Sequence, residues 1–174
     1  MNAPRERILE ITSTLFHHQG YNRTGVNQII KEAKVAKASF YQHFKSKEDL
    51  CIEFLNTRHT YWFAELQKFI SKVQNPKEKV LTSFDFLIFM NIKENYSGCS
   101  FLNILSEISN DQEKIFTIIQ NHKRDLRSFF REQIQDELLS SHLYLLFESA
   151  IIESQVFKSN ELIEESKRII EKLI

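Results

Sequence analysis

The chain has 174 residues, with 23 lysines and arginines against 23 aspartates and glutamates, 42% hydrophobic side chains, 15 phenylalanines, three glycines and two prolines. So much apolar material excludes a disordered or collagen-like chain, and the shortage of turn residues argues against an all-β sandwich. A zero net charge gives no overall basic footprint for a nucleic acid, although a sum hides its own distribution.

The apolar spacing is helical throughout. Residues 5–18 place Ile8, Leu9, Leu15 and Phe16 on one side, and Gly20 stops that helix because glycine enters a left-handed cap without strain. Residues 25–33 form a short second helix, with Val26, Ile29, Ile30 and Ala33 inward and Thr24 as its expected N-cap. A turn at Lys34-Val35-Ala36 leads into a third short helix, Lys37–Phe44. Ser46 caps a long fourth helix, with Glu48 and Asp49 at its positive end and Leu50, Phe54, Tyr61, Trp62, Leu66, Phe69, Ile70 and Val73 in register.

Asn75-Pro76-Lys77-Glu78 reads as a stop and restart, with Asn75 capping and Pro76 in the first turn. The helix over 76–95 is apolar nearly all round between Phe84 and Ile92, which predicts burial on more than one face. After the turn at Tyr96-Ser97-Gly98-Cys99 comes a short helix at 100–109. Asn110 to Glu113 caps a long one carrying Ile115, Ile119, His122, Leu126, Phe129, Phe130 and Ile134. Ser140-Ser141 is expected to divide it from a helix running to Phe157. Asn160-Glu161 begins the last, with acids early and bases late. The expectation is an all-α chain of about nine helices.

Cys51 and Cys99 form no CxxC pair, so zinc-ribbon and thioredoxin-like sites are not expected; two cysteines do not suggest a secreted disulfide scaffold. The charged start does not read as a signal peptide, and no apolar run approaches the ~20 residues of a membrane span. A cytoplasmic protein with no membrane partner is the expectation. His17 and His18 are adjacent on a helix and point about 100° apart, so they do not share a metal. Glu107, Asp111 and Glu113 are oxygen-ligand types, but capping accounts for the last two. Cys99 reads either as an inert buried thiol or as one activated at a helix start. No catalytic triad, phosphate loop, HExxH or dinucleotide fingerprint occurs. The expectation is no enzyme, no metal and no cofactor.

The informative stretch is Gly20–Leu50. Two short helices joined by a three-residue turn behind a supporting helix fit a helix-turn-helix, whose second helix enters a DNA major groove. Phe40 and Phe44, four apart, share one face and anchor that helix. Lys37, Ser39, Gln42 and His43 then turn at least partly outward, where such side chains reach base edges or phosphates. Lys47 stands in the first turn of the fourth helix, where backbone N–H groups already attract an anion.

Gly20-Tyr21, Thr24, Val26, Ile29-Ile30, Ala33-Lys34-Val35, Phe40-Tyr41-Gln42-His43-Phe44 and Lys47-Glu48-Asp49-Leu50 occur in the order of the TetR family of bacterial transcriptional regulators, which this stretch resembles. Gly98-Cys99-Ser100-Phe101-x-Asn103 is similar to an element that many members carry. The resemblance implies a DNA-binding domain at 1–46 and a ligand-binding and dimerisation domain at 47–174. It implies DNA contacts from Thr24, Asn27, Gln28, Lys37, Ala38, Ser39, Tyr41, Gln42, His43 and Lys47. Two departures stand out. Lys34 replaces the family's glycine, at roughly 1 kcal/mol if that residue is left-handed. Ala36 replaces a capping Ser or Thr, at about 0.5–2 kcal/mol.

For the second domain, the resemblance implies a small-molecule inducer pocket, with Trp62, Phe84, Ile88, Phe101, Leu105, His122 and Phe147 as lining residues. A mainly apolar or aromatic ligand suits them, although each reads equally as core; His122 reads as a core histidine or a polar anchor. Leu145, Ile152, Val156, Ile169, Ile170 and Leu173 are the expected homodimer surface, since family members pair their last two helices. A two-fold dimer would place the recognition helices about 34–36 Å apart on a near-palindromic operator. The implied function is a repressor released by its inducer. The alternatives are an activator of the same family, and a helical binding protein or enzyme without specific DNA binding. Charge distribution fits the first group: residues 1–50 hold eight basic and five acidic residues, and residues 51–174 hold fifteen and eighteen.

Overall fold

A computed structural model describes residues 3–174. Among these there are nine helices and no strand: α1 Pro4–Gln19, α2 Val26–Glu32, α3 Lys37–His43, α4 Lys47–Ile70, α5 Pro76–Lys93, α6 Ser100–Leu105, α7 Glu113–Gln133, α8 Glu137–Phe157 and α9 Glu161–Leu173. They divide into two compact units. The first comprises the chain through His59 with Ser100–Gln120; the second comprises Thr60–Cys99 with Asn121–Ile174.

In the first unit, α1, α2 and α3 pack on one another. Ile8, Ile29, Phe40 and Leu50 are wholly buried, and Phe16, Tyr21, Phe44 and Phe54 nearly so. Phe16 meets Tyr21 and Phe54 edge-on, at 5.4 and 5.5 Å between ring centres, the geometry that aromatic quadrupoles favour. Gly20 ends α1 at φ +89°, a conformation that an L side chain resists. Thr24 does not cap α2. Gly25 stands at the N-cap, while the Thr24 hydroxyl donates to the Gly20 carbonyl at 2.6 Å and so closes the α1–α2 turn.

Lys34 is left-handed, at φ +52°. The turn it makes is held from α1: Arg7 donates to the carbonyls of Ala33 and Lys34 at 3.0 and 3.3 Å. That support offsets the strain which glycine would have avoided. Ala36 precedes α3 with no side-chain cap bond. Ser46 caps α4 as expected, accepting the Asp49 N–H at 3.0 Å.

The second unit is built on α5, α8 and α9, which pack pairwise, with parts of α4 and α7. Trp62, Leu66, Phe84, Phe86, Leu126, Phe130, Leu143, Phe147, Ile163 and Ile170 belong to its core. Asn75 caps α5, accepting from the N–H groups of Lys77 and Glu78. The all-round apolar character of α5 does not bury every face, because Phe89 and Ile92 stay 40% and 68% exposed. α6 ends at Leu105 rather than 109. α8 begins earlier than Ser140-Ser141. The Asp136 carboxylate accepts the Leu139 N–H at 2.8 Å and caps it. Ser140 lies inside the helix, its hydroxyl returned to the Glu137 carbonyl, a bond that serine readily makes within a helix.

Candidate nucleic-acid interface

α3 is a seven-residue helix with one buried face. Phe40 is fully buried and Phe44 is 4% exposed, their ring centres 6.0 Å apart. These two rings fix which way the other side chains turn. Lys37, Ala38, Gln42 and His43 are exposed, Ser39 is half-buried, and Tyr41 is 46% exposed with its ring edge-on to Phe40. The outward set holds one ammonium, an amide, an imidazole and a phenol, all hydrogen-bonding groups, with a small alanine between them.

At the start of α2, Asn27 is exposed. Gln28 is held in place, exchanging amide bonds with Gln19 at 2.8 and 3.3 Å and donating to Glu32 at 2.9 Å. Thr24 is buried, its hydroxyl used within the turn. Lys47 is half-buried, and its ammonium stands 4.2 Å from the centre of the Tyr21 ring. Burial pulls the Lys47 pKa below the usual lysine value, while nearby Cys51 and Glu107 work the other way. Burial likewise raises the Tyr21 phenol and pushes the Cys51 thiol up to about 12.

Cys51 is fully buried and Cys99 partly exposed. Since the thiolate is the nucleophile, a soluble maleimide at neutral pH is expected to label Cys99 alone in the folded chain. Labelling of Cys51 is expected only after urea unfolding. Mass spectrometry after timed quenching checks this, and equal rates at both cysteines would contradict the burial described.

The residues expected to line a pocket fall into both units. Phe101 and Leu105 belong to the first; Trp62, Phe84, Ile88, His122 and Phe147 belong to the second. Within the second unit the rings pack on one another. Phe147 lies 5.2 Å from Phe84 and 6.3 Å from Trp62, and Trp62 lies 5.9 Å from the buried His122. On α8 and α9, Leu145, Ile152, Val156, Ile169 and Leu173 are 44–64% exposed. Ile170 departs from the expected surface: it is fully buried in the core of its own unit. It follows Ile169 by one position, and a helix turns about 100° per residue, so only one of the two remains outside.

Three arrangements had no signal in the sequence. Arg7 reaches 26 and 27 positions along the chain to the Lys34 turn. Glu107 meets Asn22 across 85 positions. Lys123 pairs with both carboxylate oxygens of Glu148 at 2.7 and 2.8 Å and stands 3.6 Å from the Cys99 sulfur. Spacing along the chain reveals helical faces, not partners this distant. Among the described residues, no group of three or more His, Cys, Asp or Glu is placed to hold a metal, and no helix is long and apolar enough to cross a membrane.

The family model for bacterial regulatory proteins of the TetR family matches residues 8–54, the stretch that holds α2, α3 and the start of α4. The chain is 35% identical over 75 residues to the transcriptional regulator QacR of Staphylococcus aureus, covering 43% of this chain and 40% of that one. It is 40% identical over 77 residues to the regulator LmrA of Bacillus subtilis, covering 44% and 41%. The match therefore spans about two fifths of each of these relatives. A crystal structure of a TetR-type regulator from Streptomyces avermitilis superposes with a TM-score of 0.85 at 26% identity, over 99% of this chain and 98% of that one. The helix-turn-helix on α2 and α3 thus lies in a stretch that matches the TetR family of bacterial regulatory proteins, and the fold along nearly the whole chain is that of a TetR-type regulator.

Proposed function

We propose that the chain is a DNA-binding transcriptional repressor, released from a near-palindromic operator by a small, mainly apolar or aromatic inducer. Residues 1–46 are the DNA-binding domain, and residues 47–174 bind the inducer and the second copy. The observation that carries this reading is the outward face of α3. Lys37, Ala38, Ser39, Tyr41, Gln42 and His43 stand away from Phe40 and Phe44, with Lys47 close by in sequence at the first turn of α4. Asn27 adds an exposed amide at the start of α2. Gln28 and Thr24 support that face from inside, through the bonds already described.

The exposed Leu145, Ile152, Val156, Ile169 and Leu173 support pairing of α8 and α9 with a second copy, because isolated chains rarely leave such stripes to water. In a two-fold dimer the recognition helices would reach successive major grooves. The inducer would act through its preference for one spacing of the two heads over another. Trp62, Phe84, Ile88 and Phe147, with His122 as a polar anchor, suit an aromatic guest. Lys34 and Ala36 favour a modest operator affinity, and the small basic excess of residues 1–50 favours one that is moderate and salt-sensitive.

The test is binding to a duplex that the purified chain selects from a random-sequence pool. Gln42→Ala is expected to cost about 1–3 kcal/mol and to relax the preference at one or two base pairs. Lys47→Ala is expected to weaken all sequences alike and to lower the salt slope by about one. Unchanged binding in both variants, with the fold retained, would overturn the assignment.

A further inference from the structure

Glu107 lies just past the end of α6, on the connector that leads to α7. This connector and the α1–α2 turn belong to the same compact unit. Two hydrogen bonds join Asn22 to Glu107, and Asn22 is the donor in both. The Asn22 backbone N–H donates to Glu107 Oε2 at 2.7 Å, and the Asn22 side-chain amide donates to the Glu107 carbonyl at 2.6 Å. Two bonds between one pair of residues fix orientation as well as distance, and the first ends on a carboxylate, which makes it the stronger kind.

Gly20 completes the seat. A Cβ there would fall 2.6 Å from Glu107 Oε1, so the carboxylate lies against bare backbone that only glycine leaves open. Between Gly20 and Asn22, Tyr21 is bound from the same connector: Gln112 Nε2 donates to its hydroxyl at 3.0 Å. Gln112 is itself held, its Oε1 accepting the Ser109 N–H. The face of Tyr21 carries the Lys47 ammonium at 4.2 Å. The carboxylate of Glu107 also works against the loss of charge that burial would impose on Lys47.

We infer that Glu107 is a positioning residue for DNA binding: it clasps the α1–α2 turn through Gly20 and Asn22, and thereby sets where α2 begins and where Lys47 points. Glu107 touches no DNA in this account. It acts on the residues that do, and the inference rests on the DNA-binding reading above. Since the connector and the α1–α2 turn lie in one compact unit, a movement of residues 106–112 is felt at the turn without passing along α4.

The experiment compares the full-length chain with Glu107→Ala and Glu107→Gln, on the selected duplex and on a scrambled duplex of equal length. Glu107→Ala is expected to lose about tenfold in affinity for the selected duplex and little for the scrambled one, so the specificity ratio falls. Glu107→Gln keeps an oxygen that accepts the Asn22 N–H and is expected to recover most of the loss. A structural role alone would lower both duplexes together and would not be rescued. Amide hydrogen exchange gives a second reading that needs no DNA: Asn22 is expected to be protected in the wild type and Glu107→Gln, and fast in Glu107→Ala. Unchanged selectivity in Glu107→Ala, a joint loss on both duplexes, or no rescue by glutamine would overturn the inference. If the wild type selects no sequence at all, the DNA-binding reading fails, and the clasp itself is still judged by the Asn22 exchange rates.

Discussion

Phe147→Ala is expected to destabilise the chain by about 3–5 kcal/mol, the usual cost of deleting a buried phenyl ring and leaving its cavity. Phe147 is fully buried. Its ring meets three others edge-on: Phe84 at 5.2 Å, Phe130 at 5.3 Å and Trp62 at 6.3 Å. These rings come from α4, α5 and α7, so the hole cannot close by moving one helix alone. Urea unfolding followed by the fluorescence of Trp62, the sole tryptophan, reports on the same cluster. A loss of that size corresponds to a fall in melting temperature of roughly 10 °C for a chain of this length. A cost below about 1 kcal/mol would contradict the close packing of this cluster.

Glu148→Ala is expected to cost a similar amount, about 3–5 kcal/mol, because it strands a buried cation. The side chains of Lys123 and Glu148 are each only 13% exposed, and the ammonium is 2.7 Å from the nearer oxygen. Burial alone would lower the Lys123 pKa, but the Cys99 sulfur and the Glu148 carboxylate outweigh it and hold it above the usual lysine value. The sign of the linkage follows. The stabilisation is present in full below lysine's ordinary 10.5 and is lost only as pH rises through the higher folded value. Melting curves between pH 6 and 9 are therefore expected to show no loss from this pair. Replacing both partners, Lys123→Met with Glu148→Leu, is expected to recover most of the stability, since matched apolar groups of similar volume often serve as well as a buried pair. A double variant no better than Glu148→Ala would contradict this account of the pair.

What was legible in the sequence was local. Gly20, Ser46 and Asn75 each act within three residues of themselves, so their caps and stops can be read from spacing alone. The Phe40 and Phe44 face is likewise a matter of one helical turn. Serine is ambiguous in the same local sense. Ser140-Ser141 has the composition of a break, yet the cap is Asp136 four residues earlier, and a serine can return its hydroxyl to its own helix. Thr24 has the composition of a cap and closes the preceding turn instead.

What the sequence did not reveal depends on partners far along the chain. Ile169 and Ile170 are chemically alike, and only packing against α5 and α8 decides that Ile170 is inside. An aromatic stripe does not say whether its rings line a pocket or fill a core, because both need the same spacing. In sequence Glu107 is no more than an oxygen-ligand type, while its partners Gly20 and Asn22 lie 87 and 85 positions away. Lys34 shows both sides. Its left-handed turn was legible from the pattern it departs from, and the Arg7 side chain that supports the turn was not.

In the proposed function the outward face of α3 reads DNA as part of a two-fold dimer. Footprinting of the full-length wild type on its selected duplex tests it most directly. Two protected half-sites are expected, with centres about 10–10.5 base pairs apart or a multiple of that, and an affinity that falls as salt rises. A folded chain that protects no sequence in preference to any other, even at low salt, would contradict it.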